Sequence, residues 1–200
     1  MSQYIRSKKF SQLIIGIAFI AFVYIVAKAA MIVDKRQIGT DEGIYTNCVT
    51  TSPYIKQKAM ELTSGCKNEL CEVQRLLDYV TAIPYKINNF NAHKPELTIE
   101  NNYGDCDDKS NLLISLLHGV GTEAYFVLVP EHIFVIVSID DKQLSYKKGI
   151  WIDGKKYYIL ESTAKGSEVG YPLTYKLSDI EMIFDPYFNE RLTYKKLAYR

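Results

Sequence analysis

The chain has 200 residues, 48% of them apolar and 24% charged, the composition of an ordinary globular protein. Its 24 basic and 23 acidic residues leave a formal net charge of +1, which lacks the basic surplus that marks nucleic-acid binding. After a targeting segment is set aside, roughly 150 residues remain, enough for one domain with its own core.

The N-terminus carries the clearest local signal. A basic stretch over 1–12 holds Arg6, Lys8 and Lys9, and an apolar stretch follows from Leu13 to Val33, interrupted by Lys28. Those 21 residues would make a helix of roughly 31 Å against a hydrocarbon core of ~30 Å. The expectation is a transmembrane anchor with its basic flank in the cytoplasm and the rest of the chain across the membrane. A secretory signal cut near Ala27-Lys28-Ala29 fits the same residues, and both readings export residue 37 onward. The localisation expected is therefore the cell membrane with an extracytoplasmic domain, or secretion after cleavage.

Residues 34–53 are polar, show little periodicity and read as a connector, leaving 54–200 as the domain. "SPYIKQKAMELTSG" reads as a helix closing on a glycine. In "NELCEVQRLLDYVTAIPY" the residues Leu70, Val73, Leu76, Leu77 and Val80 recur at helical steps until Pro84 stops the run. Cys66 and Cys71 stand close enough for a small disulfide loop ahead of that helix. With Cys48 and Cys106 they make four cysteines, which allow three complete pairings that sequence alone leaves open, a Cys48–Cys106 bond among them.

Residues 86–102 lack apolar period and read as a long loop containing an exposed His93. A helix then opens at Cys106, with Leu112, Leu113, Leu116, Leu117 and Val120 as its buried stripe and Gly119 and Gly121 at its end. His118 in its last turn reads as structural. Two β runs, 123–130 and 132–140, are separated by Pro130 and Glu131, and "GIWIDGKKYYILEST" holds a further hairpin around Asp153-Gly154. The last thirty residues read as irregular, with a short helix at Ser178–Phe184. Helices first and antiparallel strands after them give an α+β fold.

Asp105 is a good N-cap and would place Cys106 at the first helical position, where the helix dipole favours a thiolate. Asp105 and Asp107 oppose that by like-charge repulsion, so a neighbouring imidazole is needed. His132 at the start of one strand and Glu161 at the end of another are the candidates.

"GDCDDKSNLLISLLHGVG", "PEHIFVIV" and "YYILESTAKGSEVG", with "RLLDYVTAIPY" upstream, together resemble the transglutaminase-like superfamily of papain-fold cysteine enzymes, chiefly its exported bacterial and archaeal members. The resemblance implies Cys106 as nucleophile, His132 as base and proton donor, and Glu161 as the group that orients the imidazole. Many members have Asp where this chain has Glu161, a departure that adds a methylene and loosens the geometry. In some relatives acids flanking the cysteine bind calcium, and Asp105 and Asp107 stand at those positions; no cofactor is otherwise required. The expected activity is peptidase or amidase chemistry on a protein or peptide outside the cytoplasm. The alternatives are a protein-crosslinking transglutaminase and a non-catalytic binding module.

Overall fold

The computed structural model describes residue 12 and residues 14–27, 36–41, 43–88 and 92–200. Two compact units emerge, Met1–Lys35 and Arg36–Arg200. In the first, residues 14–27 are helical and expose apolar side chains such as Ile17, Phe19 and Phe22. No helix among the described residues is long and apolar enough to cross a membrane. The expected 13–33 span also takes in residues 28–35, and these, with the basic flank, lie outside the described residues.

The second unit is α+β, as the sequence predicts. The featureless connector expected over 34–53 instead contains an antiparallel hairpin, β1 (Gln37–Gly39) with β2 (Ile44–Thr46), which sinks Ile38 into the core. Strands of three residues are too short for a period of two to show in sequence. Helix α1 (Pro53–Leu62) starts where the Ser52 hydroxyl accepts the Ile55 N–H and Pro53 supplies a preset φ. Helix α2 (Glu69–Ala82) is capped by Asn68, and it buries Val73, Leu76, Leu77 and Val80 as their spacing predicts. Cys66 and Cys71 are disulfide-bonded and tie the link between α1 and α2 to the first turn of α2. Cys106 carries a free thiol, so no bond to Cys48 consumes the candidate nucleophile.

The loop expected over 86–102 is interrupted by α3 (Pro95–Asn101), with Pro95 at its first position and Asn102 in the left-handed region at its end. Seven residues carry too little apolar period to stand out, and the terminal signals alone mark it. Helix α4 (Cys106–Gly119) follows, and every residue from Asp108 to Leu117 is buried. The one-sided stripe read from its leucines is therefore half the picture. Helices α1, α2 and α3 pack on α4, and the sheet covers its remaining side. Its polar residues are satisfied inside the protein. Asn111 Oδ1 accepts the Cys48 N–H at 2.6 Å, and its amide donates to Thr46 O and Asp107 O. Gly119 is the last helical residue and lets α1 come close, because a Cβ there would sit 2.9 Å from that of Ala59.

Seven strands form the main sheet: β3 (Ala124–Val129), β4 (His132–Val137), β5 (Ile150–Ile152), β6 (Lys155–Leu160), β7 (Met182–Asp185), β8 (Glu190–Arg191) and β9 (Leu197–Tyr199). Their order is β8-β7-β3-β4-β6-β5-β9, antiparallel throughout. Both predicted hairpins are present, and Asp153 and Gly154 take the positive φ values (48° and 93°) of a tight turn. One sheet face joins the helices around Leu128, Val135 and Leu160, and the other buries Val127, Phe134 and Ile159. Partly buried Tyr171, Leu173, Tyr175, Leu192 and Tyr194 pack on that second face, so the C-terminal segment crosses it. The short helix expected at Ser178–Phe184 is absent. A 3₁₀ turn at Leu177–Asp179 is followed by β7, whose register with β3 sets Ile183 opposite Val127 and overrides the local helical pattern.

Candidate active site

Cys106, His132 and Glu161 arrive from three elements. Asp105 is the N-cap of α4 and forms a capping box with Asp108, so Cys106 occupies the first helical position, as its sequence context predicts. His132 is the first residue of β4, immediately after the Pro130–Glu131 turn. Glu161 directly follows β6, and the β4–β6 register pairs Val135 with Leu160. Glu161 therefore leaves its strand where β4 begins. Ser110, one turn below Cys106 on the helix, ties the three together. Its hydroxyl lies 3.4 Å from Ile133 O and 3.0 Å from the hydroxyl of Ser162, the neighbours of His132 and Glu161. Ser110 carries no signal in the sequence, because a buried hydroxyl has no periodic signature.

His132 Nε2 lies 2.9 Å from Glu161 Oε2, with the two side chains 17% and 12% exposed. An ionised carboxylate can only accept, so Nε2 carries the proton and Nδ1 is the basic nitrogen. The other oxygen of Glu161 accepts the Thr163 N–H at 3.0 Å and the Thr163 hydroxyl at 2.6 Å. Burial pushes the Glu161 carboxyl up, but the hydrogen bond and charge of His132, then Thr163, hold it below the ordinary carboxylate value. The extra methylene of Glu over Asp thus does not leave the acid loose. Thr163 pins it, a role visible beforehand only as the third residue of "EST".

Cys106 behaves differently from the sequence expectation. Burial first, then Asp107 and Asp105, push its thiol up to about 12, while backbone N–H groups of Ile133 and Asp107 pull the other way. Desolvation and two acidic neighbours outweigh the helix terminus, so the resting group is a neutral thiol. The influence of Ile133, the residue after His132, brings the sulfur to the start of β4. Asp107 is itself pushed up to about 8, by burial first and then by a hydrogen bond to Asp105 and the charges of Asp105 and Asp108.

Asp105, Asp107 and Asp108 bring carboxylate oxygens within 4.8 Å of one another. Most of those oxygens already accept amides. Asp105 takes the N–H groups of Asn88 and Asp108, Asp107 takes that of Asp108, and Asp108 takes those of His93 and Asp105. Calcium asks for six to eight oxygens with lone pairs turned toward it. The three carboxylates would supply only part of such a set, and the same oxygens also serve the helix start.

His93 is not the exposed loop residue read from sequence. It is partly buried, with Nδ1 3.2 Å from Asp108 Oδ2, an ion-pair distance without hydrogen-bond alignment, and its ring meets Tyr103 edge-on. His118 is structural as expected, its ring 4.3 Å from that of Tyr187. Two further aromatic residues border the site. Tyr85 is exposed, pairs through its backbone with Gly104, and lies within electrostatic reach of Cys106. Tyr175, from the segment crossing the sheet, stacks on the His132 ring at 6.1 Å and 19°.

A hydrogen-bonded imidazole and carboxylate stand at the start of β4 and the end of β6, and the Cys106 sulfur is influenced by the Ile133 N–H next to His132. The chain matches the transglutaminase-like superfamily over residues 56–161, more than half its length, and belongs to that superfamily. Among solved structures it is similar to a candidate cysteine protease from Cytophaga hutchinsonii, at 16% identity and a TM-score of 0.44 over 74% of this chain and 50% of that one. It is also similar to a candidate protease from Parabacteroides distasonis, at 15% identity and a TM-score of 0.38 over 60% of this chain and 28% of that one. The chain thus spans half or less of those proteins. Among curated proteins none matches it.

Proposed function

We propose that the protein is a cysteine peptidase or amidase that cleaves a protein or peptide amide by acyl transfer through Cys106, His132 and Glu161. The observation that carries this reading is the His132–Glu161 pair at 2.9 Å with Thr163 filling the second carboxylate oxygen. Such bonding serves an imidazole that must gain and lose a proton without turning.

In the reaction, His132 Nδ1 takes the Cys106 proton as the sulfur attacks the carbonyl carbon. A thiol pushed up to about 12 is activated at that moment rather than stored as an ion pair. The Cys106 backbone N–H, unpaired within the helix at its first position, faces the developing oxyanion. The imidazolium then protonates the departing amine, and Glu161 stabilises the cation in between. Water, activated by the same nitrogen, resolves the thioester and restores the thiol. Each cycle consumes one water and one amide and releases an acid and an amine. No metal takes part in this scheme, so a chelator leaves the rate unchanged.

The N-terminal unit is proposed as a membrane anchor that holds this domain outside the cytoplasm. The long apolar run, the exposed apolar side chains over 14–27 and the Cys66–Cys71 disulfide support it, since disulfides persist in oxidising compartments. Alkaline extraction that leaves the chain in the membrane pellet, with the domain open to external protease, is the expected result.

The activity is tested by incubating the protein with a peptide pool, with and without an added primary amine. New free carboxyl ends that vanish in Cys106→Ala are expected. Products joined to the amine in place of acids would make the protein a crosslinking transglutaminase. No reaction in either arm would leave a binding module.

A further inference from the structure

A cavity of about 510 Å³ opens beside the imidazole, with Glu131, His132, Glu161, Thr163, Tyr171 and Tyr175 in its lining. Two carboxylates, two phenol rings and the His132 imidazole face it, and no lysine or arginine is among its described lining residues. The nearest basic residues in sequence, Lys165 and Lys176, are exposed and outside the lining. Glu161 is committed to His132 and Thr163, which leaves Glu131 as the carboxylate without a hydrogen bond or ion pair among the described residues.

Glu131 is also oddly placed. It follows Pro130 in the two-residue turn between β3 and β4 with φ at 57°, a conformation that suits glycine or asparagine. A strained, exposed glutamate at a cavity mouth beside the candidate base has no packing role to explain it, whereas a role in recognition does. Tyr175 faces the same space, stacked on His132, and Tyr171 stands beside it. Phenol rings favour a cation over an anion.

We propose that this cavity binds a positively charged group, an ammonium or guanidinium, on the leaving-amine side of the scissile amide, with Glu131 as the specificity-determining residue. The inference rests on the acyl-transfer reading above. His132 protonates the departing amine, so that half of the substrate lies toward the imidazole and the cavity beside it. A lysine or arginine just past the cleaved bond would set its charge between Glu131 and the two rings, and a glutamate there would meet two carboxylates.

The test uses the full chain and otherwise identical labelled peptides carrying Lys, Arg, norleucine or Glu just after the scissile amide. The Lys-to-Glu ratio of kcat/KM is expected to be at least tenfold, to fall toward unity in Glu131→Gln and to drop below unity in Glu131→Lys. Binding of the same peptides to Cys106→Ala provides a second readout that needs no turnover, with the same order of preference expected. A ratio near unity in the wild type, or one that Glu131→Gln leaves unchanged, overturns the inference even if cleavage is efficient. Lys-selective binding without any cleavage would keep the site and overturn the hydrolase reading instead. Glu131→Gly separates strain from recognition: a higher melting temperature with lost Lys selectivity is expected, and retained selectivity contradicts the role of the carboxylate.

Discussion

Asp107 shows how a single side chain shapes this site. Its carboxyl is pushed up to about 8 in the folded protein from an ordinary 3.8. A raised carboxyl pKa means that the folded state holds a proton the unfolded chain has released. The stability this adds is fully present below 3.8 and is lost as pH rises toward about 8. Denaturant melts of the wild type should show falling stability across that window, and Asp107→Asn should flatten the slope. Equal slopes in the two proteins would contradict the shift. Thr163 acts in the opposite sense, because its two donors help hold Glu161 low. Thr163→Val removes the hydroxyl bond, so the acid limb of the kcat/KM profile should move to higher pH and kcat should drop about tenfold. An unmoved limb would show that Thr163 is incidental.

Cys106, His132 and Glu161 stand out in the sequence as candidates because each has a positional signature: an N-cap before the thiol, a strand start, and a carboxylate ending an apolar run. Their supporting residues had none. Ser110 becomes visible only when the chain folds, since its partners Ile133 and Ser162 sit 23 and 52 residues away, and Thr163 shows beforehand only as the third residue of "EST". The state of the Cys106 thiol is legible only in part for a related reason. Sequence shows the helix terminus and the acids but not the burial that outweighs the dipole.

At the scale of elements, α4 is the piece on which the rest depends. Its leucines gave it away, but its burial on all sides required three helices and a sheet, and one of those helices, α3, was too short to be read. The same holds for β1, β2, β7, β8 and β9, whose short runs gain their order from pairing rather than from propensity. Gly119 tests the close approach of α1 and α4. Gly119→Ala puts a methyl 2.9 Å from Ala59 Cβ and 3.3 Å from Lys56 Cα. It should destabilise the domain by about 1–3 kcal/mol despite the better helix propensity of alanine. A melting temperature that rises would mean that the helices part freely.

At the scale of the whole molecule, the compact unit Arg36–Arg200 carries the hydrophobic clusters, the disulfide and every candidate catalytic residue. A chain beginning at Arg36 should therefore melt cooperatively at the same temperature as the parent protein, and loss of cooperativity would show that the N-terminal unit helps to build the fold. The central claim is that Cys106 carries the acyl group between donor and water. Intact-mass and peptide-level mass spectrometry of the protein quenched in acid during turnover tests it directly. The account predicts an acyl adduct on the peptide containing Cys106, absent in Cys106→Ala and slow to form in His132→Ala. Steady turnover with no adduct at Cys106, undiminished in Cys106→Ala, would contradict it.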